Sequence, residues 1–351
     1  MRRIVLILSL MIFIIFLFSC GEKNYHKWYT TVVDGDIRMI TYSSLAIDSN
    51  DDLYMTYYDN IYHKKVFKYA YWLNNSWKID IFDEAEDVGQ FNSLALDSKD
   101  HPHISYFDNN SSDLKYAYFN GQEWQITDVD HDGIVGLYTS IAVDSLDQPH
   151  ISYSDLGNGY LKHAYFDGSK WNVEAVDSVG SHTSIEIDRN NHIHIAYFDE
   201  VNYVLKYEYY DGSKWQLTSV DENGSPEIYI SIALDSDDHP HISYYDYYNN
   251  NLKYAYFNGS KWIITTVDKD VEIFGKTSIL IDSVGQPHIV YYDDNSGYIK
   301  YAYSDGVKWN IENIFKEYYY DKTGISMVLD SSDIPYIIYG DGDELKLSWC
   351  E

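Results

Sequence analysis

A five-residue segment of the form Ser-apolar-x-apolar-Asp recurs seven times, at Ser44 to Asp48, Ser93 to Asp97, Ser140 to Asp144, Ser184 to Asp188, Ser231 to Asp235, Ser278 to Asp282 and Ser326 to Asp330. Successive copies are 49, 47, 44, 47, 47 and 48 residues apart. That period is too long for leucine-rich or ankyrin repeats and matches a four-stranded propeller blade. Each unit divides into four short runs with strand character, which we call a, b, c and d. In the fifth unit they are 231–235, 240–246, 252–257 and 262–268, separated by turns rich in Asn, Asp, Gly and Ser. No segment sustains a helical period, so the fold class is all-β.

The way the count ends decides between an open array and a ring. Strand d carries a Trp at 77, 124, 171, 215, 262 and 309, one fewer than the copies of strand a. The missing one is Trp28, in Lys27-Trp-Tyr-Thr-Thr-Val-Val-Asp34, before the first strand a, while the last unit stops after strand c at Trp349. An open solenoid has no reason to begin with the strand its last repeat lacks. A ring does, because pairing the two ends covers edges that would otherwise be exposed. The expected fold over residues 27–351 is a seven-bladed β-propeller of four-stranded blades, closed by the N-terminal strand pairing with the C-terminal blade.

The Asp/Asn-Gly-Ser-x-Trp turn between strands c and d (Asp167 to Trp171, Asp211 to Trp215, Asn258 to Trp262) and the Pro-His-Ile-Ser-Tyr-x-Asp strand resemble the repeats of bacterial lipoproteins with sialidase-like (BNR-type) propellers. The resemblance implies the fold and says little of activity, since propellers host lectins, scaffolds, hydrolases and lyases alike. Sialidases hold their substrate carboxylate with three arginines. After residue 19 this chain has Arg38 and Arg189 alone, which speaks against sialidase activity.

The N-terminus has the character of an address. Arg2 and Arg3 precede Ile4 to Phe18, in which only Ser9 is polar, a stretch short for a membrane span and suited to a secretory signal. It runs into Leu17-Phe18-Ser19-Cys20-Gly21, which resembles the lipobox of bacterial lipoproteins, in which the Cys is diacylated and becomes N-terminal on cleavage. The expected organisation is a signal peptide at 1–19, a linker at 20–26 lipidated at Cys20, and the propeller. Gly21 after Cys20 implies, by resemblance to enterobacterial sorting, the outer membrane or cell surface. With Cys20 acylated, Cys350 has no disulfide partner. The net charge of −30 argues against nucleic acid and against anionic lipid, leaving the acyl chains as the membrane contact.

Candidate sites fall into repeated and unrepeated classes. An Asp ends strand b in every unit (Asp59, Asp108, Asp155, Asp199, Asp246, Asp293, Asp341) and a Lys opens strand c in every unit, from Lys68 to Lys346. The two sit near the ends of one hairpin loop, so they form either a structural pair or a ring of identical ligand pockets. Histidines at 103, 150, 194, 241 and 288 occupy equivalent middle-strand positions that cannot converge on one ion, and are expected to be packed. Asp128-x-Asp130-x-Asp132-Gly133 opens like a calcium loop, but its twelfth position is Thr139 and Asp128 falls in strand d, so no cofactor is expected and Ca²⁺ stays a minor alternative.

Symmetry breaking points to chemistry more directly, since a catalytic centre is rarely copied seven times. In the fourth unit Glu186 replaces the small or aliphatic residue in the middle of strand a, and Glu208 stands where Ala117, Ala164 and Ala255 stand elsewhere. Two such acids in one sheet suggest an acid/base carboxylate pair, the other reading being a compensated polar contact with Arg189, His163 or His182. The d-to-a loops vary most and carry Phe91, Tyr138, Tyr229, Phe274 and Tyr318-Tyr319-Tyr320, of which Tyr138, Tyr229 and Tyr319 are the candidate ligand-binding tyrosines. Tyrosine offers flat apolar area, a hydroxyl and few rotamers to freeze, which suits sugars and proteins alike. The chain is therefore expected to be an exported, lipid-anchored, monomeric binding protein for a protein or glycan ligand. The alternative is a glycan hydrolase or lyase using Glu186 and Glu208.

Overall fold

The structure, a computed structural model, describes residues 26–35, 37, 40–61, 64–73, 76–83, 85, 87–222, 229–273, 275–316 and 324–350. The proposed signal peptide and Cys20 lie outside these residues, as do Arg38, Phe274 and Tyr319. Among the described residues are seven four-stranded antiparallel sheets, six of them running a-b-c-d in sequence order and the seventh taking its strand d from the N-terminal strand. They form a β-propeller. Blade 4 is representative, with strands Ser181–Ile187, Ile193–Asp199, Val204–Tyr210 and Trp215–Asp221.

The ring closes as the half-blades predict. Trp28–Asp34 pairs antiparallel with Glu344–Cys350, from Trp28 opposite Cys350 to Asp34 opposite Leu345, and becomes strand d of the seventh blade. The indole of Trp28 packs edge-on against Tyr301 of blade 6 and donates to Glu312 Oε2 at 3.0 Å. Blades 2, 3, 5 and 6 repeat the contact, with Trp124 on Tyr69, Trp171 on Tyr116, Trp262 on Tyr207 and Trp309 on Tyr254 at centroid distances of 4.9 to 5.2 Å, and in blade 4 Trp215 meets His163 at 5.5 Å. The Trp of each strand d thus packs between its own blade and the one before it.

Both ends of the recurrent strand-a segment have a structural purpose. Its Ser accepts a hydrogen bond from a backbone amide of the next blade: Leu94 N to Ser44 Oγ is 3.1 Å, and the circuit closes with Leu45 N to Ser326 Oγ, also 3.1 Å. Its Asp folds the a-to-b turn. Asp48 Oδ1, for example, accepts from Asn50 N at 2.8 Å and Asp52 N at 2.9 Å, satisfying amides that a tight turn leaves unpaired.

The strand-b histidines are packed groups, as expected. The Nδ1 of His103 lies 2.7 Å from the Tyr116 hydroxyl, and that of His194 2.7 Å from the Tyr207 hydroxyl. Burial lowers both imidazoles to about 4, against the pull of Asp97 and Asp188, so they are neutral at pH 7.

Candidate functional site

Two rings of side chains sit at the end of the propeller where strands b run into c and strands d into a. The outer one locks neighbouring blades together. In blade 3, Lys162 Nζ lies 2.8 Å from Asp155 of its own strand b and 3.0 Å from Asp130, the last residue of strand d in blade 2. The Tyr153 hydroxyl donates to the same Asp130 oxygen at 2.6 Å. Blade 4 repeats this with Lys206, Asp199, Asp177 and Tyr197, and blades 1, 5 and 6 do the same with Asp34, Asp221 and Asp268 as the bridging acids. In blade 2 Tyr106 donates to Asp83 while Lys115 holds Asp108. Blade 7 departs from the pattern, because Phe315 stands where the bridging Asp would be and Lys346 lies over its ring.

This geometry corrects the assignment of Asp59, Asp108, Asp155, Asp199, Asp246, Asp293 and Asp341 to ligand binding. Each is paired with the lysine opening strand c, and the Asp155, Asp199 and Asp246 side chains have no solvent exposure. Burial alone would raise the Asp155 and Asp199 carboxyls; the lysine and an asparagine three residues on outweigh it and hold both below the usual range. The calcium-loop alternative is displaced on the same grounds. Asp128 is within the strand Trp124–Asp130, and the Asp130 carboxylate already receives Tyr153 and Lys162.

The carboxylate pair is corrected by register. Glu186 lies opposite His194, whereas Glu208 lies opposite Ile195, one row along. Cross-strand partners share a face and adjacent rows face opposite ways, so the two acids point to opposite sides of the sheet. Ile185 and Ile195 pack with Ala142 and Leu161 of blade 3, which puts Glu208 on that side and Glu186 toward blade 5. They cannot act on one substrate together. Arg189 does not compensate either, since its guanidinium pairs with Asp238 at 3.0 Å in the next blade's turn. Glu208 is 3% exposed and its Oε2 has no hydrogen-bond partner among the described residues; burial, then the charge of Asp177, push its carboxyl up to about 7 despite Lys206.

The inner ring is the candidate site. Two residues before each strand-a Ser stand Tyr42, Phe91, Tyr138, His182, Tyr229, Lys276 and Gly324, in blades 1 to 7. The first six line a cup of about 150 Å³ together with the seven serines themselves. Neighbouring rings touch through five consecutive blades: Tyr42 to Phe91 is 4.4 Å between centroids, Phe91 to Tyr138 4.6 Å, Tyr138 to His182 3.7 Å and His182 to Tyr229 5.9 Å. The result is an aromatic arc, continued by one lysine and ended by a glycine. All five ring-bearing residues are half-buried. Tyr138 and Tyr229 were legible as loop tyrosines. Tyr42, His182 and Lys276 were not, although aligning the column two residues before each Ser brings them out.

The arc is held at a conformational cost. Its residues have φ of 56°, 52°, 55°, 52° and 82° in blade order, a left-handed region that bulky side chains rarely enter. In blade 6 Gly275, at φ +121°, takes the positive angle and Lys276 does not. Burial depresses the His182 imidazole to about 3 and the Lys276 ammonium to about 8. At pH 7 the cup therefore holds one cation, and no carboxylate among the described residues pairs with it.

No known protein family matches the sequence. No curated protein matches it either. Solved structures match in fold. An ulvan lyase, described as a polysaccharide lyase of a new family and bound to a GlcA-containing saccharide, is 13% identical with a TM-score of 0.61, over 90% of this chain and 95% of that one. A Hadza microbial sialidase is 12% identical with a TM-score of 0.52, over 86% and 73%. A fucose-specific lectin from Aleuria aurantia is 10% identical with a TM-score of 0.52, over 81% and 97%. At such identities the likeness is one of fold.

Proposed function

We propose that this chain is a lipid-anchored cell-envelope protein that binds a glycan in the axial cup, without catalysis. The observation that carries the binding reading is the aromatic arc. Five adjacent blades each place a ring at one rim, and each does so from a backbone angle that glycine or asparagine would adopt at lower cost. Strain kept at equivalent positions of a repeat is reason to look for a ligand. A sugar presents an apolar face and a rim of hydroxyls, which suits contiguous Tyr and His rings above a floor of serines. The fold neighbours include a lectin, a sialidase and a polysaccharide lyase, which is consistent with a saccharide ligand. The opposed orientation of Glu186 and Glu208 removes the basis for the acid/base reading. Export and anchoring rest on Arg2, Arg3, the apolar run to Phe18 and Cys20.

A glycan array probed with the full chain in detergent tests the binding, and saturable retention lost in Phe91→Ala/Tyr138→Ala is the expected result. An array with no saturable hit overturns it. Palmitate labelling that Cys20→Ser abolishes is the expected outcome for the anchor.

A further inference from the structure

We infer that Lys276 makes the axial cup selective for a saccharide bearing an anionic group, a carboxylate or a sulfate, bound as a single terminal residue. This rests on the glycan reading of the cup and deepens it. Lysine is scattered over the surface of the chain, but at this end of the propeller the lysines opening strands c are all held by aspartates at close range, two of them in blades 1 and 3 to 6. Lys276, in the d-to-a segment of blade 6, has no such partner among the described residues. It continues the aromatic arc at the rim, its surroundings are the neighbouring rings and the serine and threonine hydroxyls, and no acid among the described residues answers it.

An ammonium half-buried in the cup, with no counter-charge among the described residues, loses part of its solvation, and a ligand anion restores it. A folding role does not account for it, since Gly324 fills the equivalent position in blade 7, and a hydrocarbon side chain would cost less to bury. The other titratable groups lining the cup are Tyr42, Tyr138, His182 and Tyr229, none of them charged at neutral pH by their ordinary values or, for His182, by burial, and Glu200 in the b-to-c turn of blade 4 is an acid whose charge reaches Tyr138. The anion would thus meet one positive charge.

The size of the cup and the charge of the chain narrow the ligand further. About 150 Å³ is below the roughly 300–1,000 Å³ of drug-sized sites, and fits one ring rather than an oligomer. A net charge of −30 repels a long polyanion. At physiological salt, however, charges more than about 8 Å apart are largely screened, so one acidic residue entering the rim meets chiefly Lys276. Lysine is a compact point charge without the planar fork of arginine, so it does not by itself choose between the two planar oxygens of a carboxylate and the three of a sulfate.

The test compares terminal residues that differ in charge alone: oligosaccharides ending in galacturonate, in galactose 6-sulfate and in galactose, titrated against the full chain in detergent. The wild type is expected to prefer at least one acidic terminus over galactose by about tenfold or more, the effect of one charge-assisted contact. Lys276→Met should abolish that preference in a chain whose melting temperature is no lower than the wild type's, and Lys276→Arg should retain it. The carboxylate and sulfate arms identify the anion. Binding of galactose as tightly as both acidic termini, or an acidic preference that survives in Lys276→Met, overturns the inference and leaves glycan binding standing. Binding of none of the three, together with an empty array, overturns both.

Discussion

The Asp-Tyr-Lys latches and the aromatic arc lie at the same end of the propeller, yet the latch residues recur in six blades and fail only where Phe315 replaces the bridging acid, while the arc column changes from blade to blade. The latch recurs because its task recurs: each seam between blades needs two strands of one blade tied to the last strand of another. The arc varies because a ligand has no sevenfold symmetry. Chemically the latches consume their charges, each lysine sitting between acids, while the arc leaves one lysine unanswered.

That contrast is most easily broken at a latch. In Lys162→Met two carboxylates, one of them fully buried and the other nearly so, lose their shared cation, and uncompensated buried charge is costly. The expected loss is about 3 kcal/mol in denaturant unfolding. Lys346→Met is the matched control, because in blade 7 Phe315 replaces the bridging acid and Asp341 is partly exposed, so the expected loss is about 1 kcal/mol. Equal losses would show that the bridging aspartates contribute nothing to the seams.

How much could be read from the sequence follows the same divide. Blade number and ring closure were legible because repeats restate themselves, and Trp28 and Trp349 mark the two half-blades without any structure. The strand-b Asp and strand-c Lys were legible as neighbours, but not their third and fourth members, since Asp130 and Tyr153 are 23 residues apart and meet only across a seam. Glu186 and Glu208 are legible as members of one sheet, but not as residues of opposite faces. Deciding the face requires the hairpin register, and Ile195 rather than His194 opposes Glu208. The cup was half legible, through its tyrosines. His182 and Lys276 differ in residue type from their column, and only the structure shows that position, not type, defines the arc.

Glu208 sharpens the comparison from the latch side. It sits near Tyr197, Asp177 and Lys206, and its carboxyl is raised to about 7 from an ordinary value near 4.3. An acid whose folded value is raised destabilises the fold above that value, and the cost fades as pH falls through 7 toward 4.3. Glu208→Gln should therefore be more stabilising at pH 8 than near pH 4 by about 3 kcal/mol, with glycan retention unaltered at both. A pH-independent effect would mean that the carboxyl finds a partner in solution. Loss of retention would return Glu208 to the site.

The smallest expected effect on stability is the one that best separates the two regions. Tyr138 has φ of 55° and ring contacts with Phe91 at 4.6 Å and His182 at 3.7 Å. Tyr138→Gly removes those contacts, worth about 0.5–1.5 kcal/mol each, but also relieves a left-handed angle costing about 1–2 kcal/mol and allows the two flanking rings to relax toward each other. The two changes nearly offset, so the melting temperature should move by no more than a few degrees in either direction. Glycan retention should nevertheless be lost, because the break falls in the middle of the arc. A residue held for packing would give the opposite pattern, a large fall in stability and intact retention. Tyr153→Phe, which removes the hydroxyl of a latch and leaves the cup untouched, is expected to show that pattern in milder form.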